Sequence, residues 1–192
     1  MRTLILAGFL GSGKTTVLME LAGFLVRNGK QVVILENEIS SAGVDNQLLK
    51  SVGFQVRNIF SGCVCCTSTG ALCQDVFEIR QELDPDWLII EATGMAYPDS
   101  IQQSLHRELG IRALILALVD ARRWKRLLAA MYQFAVSQLG SASVVLVTKI
   151  DQVDADVLTE VVGSVEKIVG QTPICPICAI RPIPEAVWKS IL

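Results

Sequence analysis

Apolar residues along this chain fall into short β-rich runs, separated by longer segments whose apolar positions recur at helical spacing. The runs at 3–7, 31–35, 87–91, 112–119 and 144–148 read as strands. They are almost continuously apolar, which is the pattern of strands covered on both faces and not of strands with one wet side. The segments 14–27, 70–82, 99–109, 121–136 and 155–169 read as helices. Punctuation agrees, with Gly29 after the first helix, Asp84 and Pro85 after the second, and Gly110 and Gly170 after later ones. The tail 173–192 reads as a last short strand and a helix. Strand and helix in alternation predict an α/β fold of three layers, a mainly parallel central sheet flanked by helices.

Composition narrows the class. At 192 residues the chain fits one compact domain, 1–192. Apolar residues make up 51% and charged ones only 19%, which suits a deeply buried sheet and argues against disorder. With 17 basic and 19 acidic side chains the net charge is -2, too balanced to hold nucleic acid or an anionic membrane. The apolar run 4–7 is too short for a signal-peptide core, and the stretch 113–119 is far below the roughly 20 residues that span a bilayer. A soluble, cytoplasmic protein is expected. Of six cysteines, Cys63, Cys65 and Cys66 crowd into four positions, a spacing that points to reduced thiols or a metal and not to structural disulfides.

The sharpest motif is Gly8-Phe-Leu-Gly-Ser-Gly-Lys-Thr15, which follows a predicted strand and opens a predicted helix. That context makes it a P-loop. Gly8, Gly11 and Gly13 let backbone N–H groups of the loop, Ser12 included, converge on phosphates, and the helix adds its positive N-terminal end. Lys14 reaches the β and γ phosphates, the Thr15 hydroxyl ligates Mg2+, and Thr16 touches the α phosphate. The fold class sharpens to a three-layer P-loop NTPase. Glu91 ends the apolar run Trp87-Leu-Ile-Ile, where a carboxylate orients a water on the metal, and Gly94 follows where a backbone N–H senses the γ phosphate.

Thr148-Lys-Ile-Asp151 sits just beyond another apolar strand, where GTPases carry asparagine-lysine-x-aspartate. Two hydrogen bonds from guanine to the Asp151 carboxylate give about 3 to 6 kcal/mol of preference over adenine, roughly a hundred- to ten-thousandfold. Lys149 lies along base and ribose. Thr148 replaces the asparagine and keeps a hydroxyl for the loop. Cys178 and Ala179, within Ile174-Cys-Pro-Ile-Cys-Ala179, take the place of the loop that packs on guanine. The same CxxC spacing also fits a metal or redox pair, although no adjacent histidine completes it.

Ser61-Gly-Cys-Val-Cys-Cys-Thr67 lies before Glu91 in a glycine-bounded loop. Three thiols so close can converge on one thiophilic ion and leave a fourth position open, or pack as a buried cysteine-rich loop. Together with Glu36-Asn-Glu38, Gly43-Val-Asp45, Glu91-Ala-Thr-Gly94 with Pro98, and Val119-Asp-Ala121, these residues make the sequence resemble the CobW, HypB and UreG group of metal-handling GTPases, most closely its CobW-type branch. The resemblance spans nearly the whole chain.

It implies a GTP-binding, slowly GTP-hydrolysing metallochaperone or cofactor-insertion factor, whose nucleotide state alters binding of Zn2+, Co2+ or Ni2+. In such proteins the segment like 36–45 responds to the γ phosphate. Glu36 or Glu38 would then complete the cysteine site, and Asp45 would approach Mg2+ or the attacking water. Lys14, Thr15, Asp45, Glu91 and Gly94 are the expected catalytic group, although no residue stands out as the base. Expected partners are a client metalloprotein or cofactor-assembly enzyme, with a homodimer as a further assembly. The chain stops at Leu192 without the second C-terminal domain common in CobW-type proteins, and has no histidine-rich tract; its single histidine, His106, reads as a surface residue. Two other functions fit the residues. One is a nucleotide-gated binding module for a metalloprotein or corrinoid protein that carries no metal. The other is a small-molecule kinase, against which the base motif and the lack of an acceptor domain both count.

Overall fold

The computed structural model describes residues 1–36, 55–58 and 69–192. The chain runs β1 (Arg2–Gly8), α1 (Lys14–Arg27), β2 (Val32–Glu36), β3 (Gln55–Asn58), α2 (Thr69–Glu82), β4 (Trp87–Glu91) and α3 (Pro98–Leu109). It continues through β5 (Ala113–Asp120), α4 (Trp124–Ala130), α5 (Tyr132–Leu139), β6 (Val144–Thr148), α6 (Ala155–Val169), β7 (Ile174–Pro176) and α7 (Glu185–Ile191). The strands form one sheet in the order β3-β2-β4-β1-β5-β6-β7, and every pairing among the described residues is parallel.

The continuous apolar runs resolve into two faces once strand period is imposed. Ile5, Val33, Leu35, Leu88, Ile90, Ile115 and Val145 point one way, into a core completed by Val76 and Ile79 of α2, Leu105 of α3, Ala135 of α5 and Val165 of α6. Their neighbours Leu4, Leu6, Ile34, Ile89, Leu116 and Leu146 point the other way, against Leu18 and Leu21 of α1 and Trp188 of α7. Helices on both faces therefore leave the inner strands without a wet side.

The connections put a site at one edge of the layers. After β1 the chain builds outward through β2 and β3, returns to β4, and then crosses to β5, β6 and β7 on the other side of β1. Strand order reverses at β1, so the loops leaving its C-terminal end and those of its neighbours open into the crevice where such sheets bind ligands.

Two expectations change. The predicted helix 121–136 starts later and is broken in two. The backbone N–H of Ala121 donates to Thr148 O at 3.0 Å and that of Arg123 to Asp120 O at 3.1 Å, so 121–123 form a turn tied to the sheet. At Met131 the backbone leaves helical geometry, with φ -141° and ψ 48°, while its N–H still closes α4 on Leu127 O and its carbonyl opens α5 by accepting from Ala135. Strand β3 was not among the expected strands. Glu38, Asp45, Cys63, Cys65 and Cys66 lie outside the described residues.

Candidate nucleotide site

The loop 8–15 leaves the end of β1 with Gly8, Gly11 and Gly13 at φ 142°, 75° and 94°. Gly8 is there for space as well as angle: a Cβ on it would stand 2.7 Å from Leu118 O of the neighbouring β5. Gly13 caps α1, so the first N–H groups of that helix turn toward the loop without intrahelical partners. Ser12 is 2% exposed and turns its hydroxyl inward, where it meets no hydrogen-bond partner among the described residues.

Lys14 folds back over the loop, its Nζ donating to Gly8 O at 2.9 Å and Phe9 O at 3.3 Å. Burial pulls its pKa below the ordinary value of 10.5, and the charge of Glu91 offsets part of that pull. The Thr15 hydroxyl donates to Glu91 Oε1 over a long 3.5 Å. Glu91 ends β4 and stands in register with Leu6 of β1 on one side and Glu36 of β2 on the other. Glu36 is buried, so the two carboxylate-bearing residues sit side by side at the strand ends. Gly94 lies so close to the loop that a Cβ on it would stand 2.6 Å from Leu10 N.

The other wall comes from β6. Thr148 is fully buried and donates its hydroxyl to Ser12 O at 2.7 Å. Lys149, in the left-handed region at φ 58°, reaches Gly11 O at 2.5 Å and Asp120 Oδ2 at 2.7 Å. Asp151 follows in the short 3-10 turn Ile150–Gln152 and is exposed. The Cys178 thiol donates to Asp151 Oδ1 at 3.3 Å, and half-buried Ala179 follows it. Thus the segment after β7 reaches the carboxylate after β6. Thr16 is exposed on the first turn of α1, and His106 is exposed in the last turn of α3, away from this set in sequence and element.

Sequence reasoning gave no role to Asp120 or Arg123. Asp120 ends β5 opposite Thr148 and is 8% exposed. Its Oδ1 accepts from Arg122 N at 3.0 Å, and its Oδ2 from Lys149. The signal was available: a carboxylate closing an apolar run, as Glu91 does, is a residue held at a strand end. Among the described residues no group of three or more His, Cys, Asp or Glu side chains converges as metal ligands.

A parallel sheet with a glycine loop and lysine at its switch point defines the class as P-loop NTPases. Within that class, residues 2–176 match the family model of the CobW/HypB/UreG nucleotide-binding domain, and the chain belongs to that family. It is 35% identical to the zinc chaperone YjiA of Escherichia coli (strain K12), over 85% of this chain and 51% of that protein. It is 28% identical to the zinc-regulated GTPase metalloprotein activator 1 of Schizosaccharomyces pombe, over 85% of this chain and 42% of that one. The chain thus spans about half the length of the curated relatives it matches. In fold it is similar to the hydrogenase maturation factor HypB of Archaeoglobus fulgidus, with a TM-score of 0.72 at 15% identity, over 99% of this chain and 87% of that one.

Proposed function

We propose that this chain binds GTP with Mg2+, hydrolyses it slowly, and uses its nucleotide state to govern delivery of a thiophilic ion, zinc foremost, to a client metalloprotein or cofactor-assembly enzyme. The observation that carries the reading is the joining of the P-loop to the base segment: Thr148 on Ser12 O and Lys149 on Gly11 O hold phosphate and base walls as one cradle. In this reading Gly8, Gly11, Ser12, Gly13, Lys14, Thr15 and Thr16 take the phosphates. Lys149 lies along base and ribose, Asp151 takes the guanine edge, and Cys178 with Ala179 packs on it.

Thr15 and Glu91 fit a hard cation, because their oxygens face each other at 3.5 Å beside the loop and Mg2+ prefers oxygen donors. The ion, when bound, would neutralise phosphate charge during hydrolysis. In this reading the backbone N–H of Gly94, whose Cα side approaches Leu10 of the loop, senses the γ phosphate. Asp45 belongs to the same reading by resemblance to the family. Zinc is favoured as cargo because relatives bear the names zinc chaperone and zinc-regulated GTPase metalloprotein activator. Cys63, Cys65 and Cys66, with Glu36 or Glu38, supply the thiolate and carboxylate donors such an ion needs.

The test is a metal titration of nucleotide-free protein and of protein loaded with a nonhydrolysable GTP analogue, repeated with the three cysteines changed to serine. The expected result is one Zn2+ per chain, an affinity that differs between nucleotide states, and loss of binding in the serine variant. Unchanged zinc binding in the serine variant would overturn the site. Loss of binding with equal affinity in both nucleotide states would overturn the coupling.

A further inference from the structure

The P-loop wall at Gly11 carries two cations. Lys149 is bonded to Gly11 O. Arg123, from the turn after β5, lays its Nη1 3.0 Å from where a Cβ on Gly11 would stand, so its guanidinium fills the side-chain space that this glycine leaves open. Both cations answer to one carboxylate, that of Asp120. Lys149 takes Oδ2 at 2.7 Å, Arg122 N takes Oδ1 at 3.0 Å, and Arg123 Nε is left with Oδ2 at 3.8 Å.

We propose that Arg123 is a further phosphate-binding cation of the nucleotide site, which engages the polyphosphate of a nucleoside di- or triphosphate from the Gly11 side of the loop while Lys14 engages it from the other. Asp120 is the positioning residue that keeps Arg123 at the loop. The inference rests on the nucleotide reading above and names a residue that reading does not use.

Charge supports it first. One buried carboxylate faces two basic side chains, so the Gly11 wall keeps an excess of about one positive charge, counted from these three groups, before any contribution from Lys14. Phosphate supplies the missing negative charge. Freedom supports it next. The Arg123 side chain is 56% exposed, whereas that of Lys149 is 28% exposed and holds a backbone carbonyl as well. Lys149 is committed to the architecture of the loop; Arg123 is held by its longer ion pair. Space completes the case. Arg123 lines a recess of about 120 Å³ between the loop residues Leu10 and Ser12 and the α4 residues Trp124 and Leu127, so open volume adjoins its side chain. An arginine delivered in cis to phosphates is a strong charge-assisted donor with a planar fork that fits two oxygens.

The experiment compares the unaltered protein with Arg123→Gln and Arg123→Lys, measuring affinities for GTP, GDP and GMP by calorimetry or competition at several salt concentrations, with thermal unfolding of each variant. Arg123→Gln should weaken GTP and GDP by about tenfold, the effect of losing one charge-assisted hydrogen bond, and leave GMP unchanged. The salt dependence of GTP binding should become shallower, since one screened attraction is gone. Arg123→Lys, which keeps the charge but not the planar fork, should recover only part of the loss. Parallel weakening of GMP with the other two, together with a lower Tm, would assign Arg123 a structural role and overturn the proposal. Unchanged GTP affinity in Arg123→Gln would do so directly. Failure of the unaltered protein to bind any guanine nucleotide would instead sink the nucleotide reading, and this inference with it.

Discussion

Lys14 is the residue on which the proposed phosphate site depends most. The residue is 8% exposed, its ammonium donates to two carbonyls, and burial lowers its pKa from 10.5. A lysine with a depressed folded pKa costs stability while charged, and that cost disappears as pH rises from the folded value through 10.5. Phosphate reverses the shift by favouring the charged form. Nucleotide binding should therefore be accompanied by proton uptake at alkaline pH below 10.5, seen as a dependence of the calorimetric enthalpy on buffer ionisation. Lys14→Ala should lose triphosphate binding without unfolding; full hydrolysis by that variant would remove the lysine from the site. Thr148 makes a different kind of contribution. Thr148→Val keeps its shape and strands the buried Ser12 O, at a cost of about 1 to 3 kcal/mol or roughly 2 to 10 °C in Tm for a chain of this size. A Tm within 1 °C or so of the unaltered protein would show that water replaces the bond.

Between elements, the closest approach that matters is the turn after β4 against the P-loop. Gly94 has no room for a methyl group, because Leu10 N stands 2.6 Å from its Cβ position. Gly94→Ala should displace the loop, Lys14 and Thr15 with it, lowering GTP affinity by at least tenfold while leaving the core packing of Leu21 and Trp188 intact. Native unfolding with undiminished nucleotide binding would show that the turn yields instead of the loop. The glycine's position was legible in the sequence from its distance to Glu91; its contact partner was not, because it lies far away in the chain and meets it only through the β1–β4 pairing. The same limit explains Asp120. Its apolar run marked a strand end, but its role depends on register with Thr148 and on the side chain that follows it. Local periodicity carried 121–136 as one helix because the apolar spacing continues through Met131. What breaks it is tertiary: Asp120 and Thr148 fix 121–123 as a turn, and Trp124 Nε1 is anchored to Ser164 of α6 at 3.0 Å.

At the scale of the molecule, the described loops that form the cradle leave the C-terminal ends of strands in one sheet. β1 brings the phosphate loop, β4 brings Glu91, β5 brings Asp120 and Arg123, and β6 brings Thr148 to Asp151. Those strands are buried on both faces, which is why their runs were readable without knowing their order. A ligand bridging the loops binds only when the sheet is assembled, so it stabilises the folded state by mass action. At a free GTP concentration near a hundred times Kd, the gain is about 2.7 kcal/mol, which for a domain of this size is a rise in Tm of roughly 5 to 10 °C. ATP at the same concentration should give much less if, as proposed, Asp151 takes the guanine edge, whose donors adenine lacks. Asp151→Asn should erase the difference between the two nucleotides while leaving the unliganded Tm unchanged, since the Asp151 side chain is exposed and its contact to Cys178 is a weak thiol bond. Equal stabilisation of the unaltered protein by ATP and GTP would rule out base selection by this segment, and the absence of any shift with either would leave the cradle without a nucleotide.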